Sequence, residues 1–106
     1  MSPGNKRYLE LNRYYAHPGR AEEVLATRRA ASALLPGLGQ PPGHIYVNSE
    51  PAEGHPDVIW VCEYPTSSER EASLAARAAS PEFEAVRRHM RTLYYKFDRE
   101  LFVLDD

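Results

Sequence analysis

Two helix-forming segments, each bracketed by strand-like runs and cut off by proline, constrain this 106-residue chain more than any other feature. The first strand-like run is Tyr8–Tyr15, where Leu9 and Leu11 alternate with Glu10 and Asn12 at the two-residue period of a pleated sheet. Its tyrosines also favour a pleated surface. His17, Pro18 and Gly19 break the strand. Pro18 suits the start of a helix, where its missing N–H costs little. Residues 20–35 are good helix formers, with Val24, Leu25, Ala31, Leu34 and Leu35 on one broad face and Glu22, Glu23 and Arg29 outside it. Pro36 and Gly37 end that helix.

After a turn-rich connection at 36–43, residues 44–48 read as a short strand and Val58–Tyr64 as the most apolar one, with a polar hairpin loop at 51–56 between them. The continuous apolar character of Val58–Tyr64 suggests cover on both faces. Pro65 ends it. Ser68 with Glu71 matches a capping box for an alanine-rich helix that runs to Ala79. Ser80 and Pro81 then restart the helix as cap and first helical residue, and Phe83, Val86, Met90 and Leu93 continue at helical spacing. Tyr94–Leu104 reads as a last strand.

The order β-α-β-β-α-β is the ferredoxin-like arrangement, an α+β fold with a four-stranded antiparallel sheet and both helices on one face. Leu9, Leu11, Ile45, Val47, Ile59 and Val61 are expected to share the other face. An apolar face of that size is an association surface, and pairing two copies about a two-fold axis covers both, so a homodimer is expected.

The length allows one domain, 1–106, with an ordered core of about 7–105. The net charge of -2 gives no composition-level reason to expect a nucleic-acid or membrane partner. Cys62 is the only cysteine, so no internal disulfide can form and a reducing compartment is the simplest reading. No signal-peptide or membrane-span pattern is seen, and a cytoplasmic location is expected by default.

The segment Leu9–Glu23, with Glu10-Leu11-Asn12-Arg13-Tyr14 followed by Pro18-Gly19 and an acidic helix start, resembles the opening of NIPSNAP-type domains. Trp60–Pro65, then Glu69, Arg70 and Ser80-Pro81-Glu82-Phe83, is similar to their second half. The wider group is the dimeric α+β barrel superfamily, with EthD-like proteins, antibiotic-biosynthesis monooxygenases and haem-degrading monooxygenases. The resemblance implies a dimeric barrel with a ligand pocket in each protomer, and it fixes no reaction. The chain departs from the NIPSNAP pattern at Asn12, where arginine is usual. Haem-degrading relatives carry an asparagine at that place, but their catalytic tryptophan and histidine fall on Arg77 and Arg87 here, which argues against haem degradation.

By strand alternation, Glu10, Asn12 and Tyr14 share a face, as do His44, Tyr46 and Asn48, and Val58, Trp60, Cys62 and Tyr64. If all three sets face the helices, polar groups gather beneath an apolar cover as a candidate site. Asn12 would donate to a ligand carbonyl or an activated oxygen, or else be satisfied by a neighbour. His44 or His89 would move a proton, the alternatives being a turn-edge position and a solvated helix position. Tyr14, Tyr46, Trp60 and Tyr64 would bind an aromatic body, or else simply pack the core.

No metal site is expected, since the four histidines show no i, i+4 pair. No cofactor is expected either, because Gly37, Gly39 and Gly43 lie in a proline-broken connection. Cys62, next to Val61 and Trp60, reads as a buried inert thiol. Arg87, Arg88 and Arg91 read most simply as a solvated helix face, the alternative being an anion site for which the sequence gives no support. The function expected is a small-molecule pocket, in its most concrete form a cofactor-independent monooxygenase or isomerase acting on an aromatic or polyketide-like substrate. The alternative is a non-catalytic interaction or ligand-sensing module.

Overall fold

The computed structural model describes residues 7–105. Strand β1, Tyr8–Ala16, is followed by helix α1, Ala21–Leu34, and a short 3-10 turn at Pro36–Leu38. Strands β2, His44–Val47, and β3, Val58–Tyr64, form the central hairpin. Helices α2, Ser67–Ala78, and α3, Pro81–Arg91, precede strand β4, Tyr94–Val103. The sheet runs β2-β3-β1-β4 with every pair antiparallel, which is the expected ferredoxin-like fold. Among the described residues no helix is long and apolar enough to cross a membrane.

The helix breaks act where the residue chemistry places them. Ser80 accepts a hydrogen bond from the Phe83 N–H, and Pro81 takes the first helical position of α3. The cap of α2 lies two residues earlier than the Ser68–Glu71 pairing suggests. Thr66 is the cap, and its side chain accepts from the Glu69 N–H at 3.2 Å. Thr66-Ser67-Ser68-Glu69 carries the same threonine/serine-to-glutamate spacing, so the local pattern fits two registers. Pro18 lies in the turn before α1 rather than in its first turn, and the chain reverses there through Gly19 at φ 78°.

The core lies between one sheet face and the helices. Val24 and Ala31 from α1 and Leu35 at its C-terminal cap meet Tyr14, Val58, Trp60 and Tyr64 from the sheet, with Phe83, Met90 and Leu93 closing the side. In β1 and β3 the faces are as alternation predicts: Glu10, Asn12 and Tyr14, and Val58, Trp60, Cys62 and Tyr64, are all buried under the helices.

Strand β2 is a correction. Its register sets Ile45 opposite Trp60, and His44 and Tyr46 opposite Val61 and Ile59. Ile45 therefore packs on the core, while His44 and Tyr46 stand on the helix-free face. Asn48 lies past the strand end, donates to the Pro56 carbonyl and accepts from the Glu50 N–H, which shapes the hairpin loop. A one-residue change of register exchanges the two faces of a strand, and the β2 sequence carries a usable pattern on both.

Candidate functional site

A cleft of about 300 Å³ opens between the sheet and helices α1 and α3. Asn12 and Tyr14 from β1 and Phe97 and Arg99 from β4 form its floor. Arg28 and Ala31 of α1, Arg77 of α2, and Phe83, Val86 and Met90 of α3 complete its walls. Arg87, Arg91 and Tyr94 also line it. Its aromatic side is preassembled: the Tyr14 and Phe97 rings lie 5.2 Å apart, and Phe97 stacks on Tyr94 at 5.7 Å.

Behind the floor lies a carboxylate in an arginine cage. Glu10 is fully buried. Its Oε2 lies 3.5 Å from both Arg77 Nη1 and Arg99 Nε. Arg70 Nε approaches Oε1 at 3.4 Å without hydrogen-bond alignment, and both atoms lack a hydrogen-bond partner. Glu10 also orients Asn12, whose Nδ2 donates to Glu10 Oε2 at 3.2 Å. Asn12 Oδ1 in turn accepts from Arg99 Nε at 3.2 Å. The amide is thus pinned from both ends, its oxygen toward β4 and its nitrogen toward Glu10. Its amide group has one further N–H to offer.

Arg77 is 3% exposed and is held by three elements at once. Besides Glu10 it donates through Nε to Gln40 Oε1 at 3.1 Å and through Nη2 to the Tyr64 hydroxyl. Arg28, at 4% exposure, donates through Nη1 to the Tyr14 hydroxyl at 3.1 Å and through Nε and Nη2 to Ser32 Oγ.

The remaining expected site residues are placed as follows. Trp60 is wholly buried and does not line the cleft. The guanidiniums of Arg28 and Arg77 lie over its ring at 4.5 and 5.3 Å, so the face expected to stack on a ligand is already occupied. Its Nε1 donates to the Pro42 carbonyl at 2.8 Å. Gly43 makes that approach possible: at φ +68°, a Cβ there would fall 2.6 Å from Trp60 Nε1 and from the Val61 carbonyl oxygen.

Tyr64 is likewise buried against Arg77, away from the cleft. Its burial, and then the Glu10 charge, push its hydroxyl pKa up. Burial raises the Cys62 thiol in the same way, which keeps it protonated and unreactive. Tyr46, 55% exposed, and His44 lie across the sheet from the cleft. His89 is exposed on α3 and does not line the cleft. Asn12 and Tyr14 alone of the expected set meet in the cleft. Among the described residues no three His, Cys, Asp or Glu side chains gather in a way that could hold a metal ion.

The arginines are the part of the site that the pattern reading missed. Arg28 was nevertheless marked by spacing. It lies four residues after Val24 and three before Ala31, on the buried stripe of α1. Arg99 carries a weaker signal, because its place opposite Asn12 depends on the β1–β4 register. Arg87 and Arg91, read as a solvated face, both line the cleft.

No protein-family model and no curated protein matches the chain. Solved structures do match its fold. A NIPSNAP family protein from Agrobacterium tumefaciens str. C58 superposes with a TM-score of 0.71 at 18% identity, over 100% of this chain and 92% of that one. A dimeric ferredoxin-like protein of unknown function from Thermobifida fusca YX gives 0.66 at 13% identity, over 98% and 96%. A protein from Chloroflexus aurantiacus J-10-fl, provisionally named an antibiotic biosynthesis monooxygenase, gives 0.62 at 20% identity, over 94% of each chain. The structural likeness therefore includes NIPSNAP proteins and the monooxygenase-like group, as the sequence resemblance implied. At these identities it is a likeness of fold, and function has to be argued from the site.

Proposed function

We propose that this protein is a homodimer that binds a small molecule with an apolar or aromatic body in the cleft of each protomer. The cleft itself carries this reading. It has a preassembled aromatic wall, a floor amide fixed by Glu10 and Arg99, and a volume at the lower end of ligand sites, roughly 300–1,000 Å³. A packed sheet–helix interface would have favoured the interaction-module alternative, and the open cleft weighs against it. The homodimer is supported by the half-buried apolar residues on the helix-free sheet face and by the dimeric description of the Thermobifida neighbour.

The enzymatic form of this reading is a cofactor-independent monooxygenase or isomerase acting on an aromatic or polyketide-like substrate. In it, Asn12 and Arg99 hold a substrate oxygen while Tyr14 and Phe97 receive the rings. No histidine or carboxylate is among the lining residues, so ligand binding is what the geometry supports most directly. A thermal-shift screen with quinols and aromatic polyketides tests it. A ligand that binds only the folded state raises the melting temperature with concentration. Val86→Trp, which fills the cleft from α3, should abolish that rise. A folded dimer that no compound stabilises would count against the pocket and for the interaction module.

A further inference from the structure

We infer that the cleft takes an organic acid, an aromatic or apolar body carrying a carboxylate, and that Arg28 is the residue that holds the carboxylate. This rests on the cleft being a ligand site, and it adds the charge of the ligand and the group that reads it.

The chain as a whole carries a net charge of -2, yet every charged residue lining the cleft is an arginine. Positive charge is therefore concentrated here by folding. Most of these guanidiniums have carboxylates nearby, but they share them. Arg77 and Arg99 draw on Glu10, which they share with Arg70 outside the cleft. Arg87 and Arg91 both draw on Glu84, at 3.5 and 3.6 Å.

Arg28 differs from the rest. It is as buried as Arg77, and it has no carboxylate partner among the described residues. All its partners are neutral: the Ser32 and Tyr14 hydroxyls and the face of Trp60. A guanidinium stays charged at any physiological pH, so it cannot escape burial by losing its proton. A buried charge is ordinarily paired, and leaving one unpaired is costly.

Three of the five Arg28 N–H groups are engaged, which leaves donors of the planar fork that fits a carboxylate. The surrounding wall of Phe83, Met90 and Phe97 suits an apolar body rather than a bare inorganic anion. Arg87 and Arg91 give the walls a positive excess that draws anions in.

Calorimetric titration of the purified dimer with 2-naphthoate and with 2-naphthamide, its neutral counterpart of the same shape, tests the inference. Naphthoate should bind at least about tenfold tighter than the amide at low salt, and the gap should narrow as salt rises. Arg28→Met should bring naphthoate down to the affinity of the amide. Should that variant fail to fold, Arg28→Lys, which keeps the charge but loses the planar fork, should weaken naphthoate several-fold and leave the amide unchanged.

Equal affinities for acid and amide would overturn the anion inference and leave the pocket standing. Neither compound binding at about 1 mM would overturn both. Naphthoate binding that survives Arg28→Met would remove Arg28 from the role. Displacement of naphthoate by an equal concentration of inorganic phosphate would mean a bare anion site and overturn the claim for an organic acid.

Discussion

On the helix-covered face of β1, Glu10, Asn12 and Tyr14 are buried, while on the opposite face of the same strand Leu9 and Leu11 are only half-buried. The usual arrangement of a one-sided sheet, apolar residues inward and polar ones outward, is inverted here. Each side explains the other. The inner face can hold a carboxylate and an amide because Arg70, Arg77 and Arg99 bring compensating charge to Glu10 and Arg99 donates to the Asn12 amide oxygen. The outer face can leave leucines half open if a second copy covers them. Charged residues share that side as pairs: Glu100, opposite Leu11, pairs with Arg13, and Arg7 pairs with Glu63. The comparison teaches that the polarity of a strand face identifies the kind of environment it meets only once the cover is known.

The inner cluster should be the most sensitive part of this comparison. Glu10→Ala leaves Arg77 buried without its carboxylate, and about 3–5 kcal/mol of stability should be lost in urea unfolding. The exposed Arg7–Glu63 pair offers the control: Arg7→Ala should cost no more than about 1 kcal/mol. Similar losses at the two positions would erase the distinction between a buried ionic cluster and a solvated pair.

The outer face is next. Val61→Glu sets a carboxylate among Leu11, His44 and their neighbours, and sedimentation should show the dimer weakened by at least about tenfold, or 1.4 kcal/mol. An undisturbed dimer would place the interface elsewhere and leave the half-buried leucines unexplained.

The smallest effect is alkaline. Cys62 and Tyr64 have folded pKa values raised above the ordinary 9.0 and 10.0, first by burial. Below those values both groups are protonated folded and unfolded, so their contribution is fully present. Above them the unfolded chain ionises first, and stability falls as pH rises. The urea midpoint should therefore hold steady up to about pH 9 and then decline. A midpoint that stays flat beyond that pH would mean the two groups are more exposed than their contacts imply.

Local patterns settled much of this protein by themselves. The two-residue alternation of Tyr8–Ala16 and Val58–Tyr64 set which residues would face together, because that period belongs to any extended chain. Ser80-Pro81 set the break between α2 and α3, because a hydroxyl cap and a proline act within one turn. The element order and the antiparallel fold followed, and so did the burial of Cys62.

Tertiary structure decided the rest. His44 and Tyr46 lost their expected place in the site because β2 could present either face, and only its pairing of Ile45 with Trp60 chose one. Trp60 lost its expected ligand contact because Arg28 and Arg77, from two different helices, cover its ring. The arginine cage around Glu10 draws on residues from positions 10 to 99, and no local period relates groups so far apart. Periodicity assigns a residue to a face of its own element; which charges meet across elements depends on strand register and helix packing, and those exist only in the folded chain.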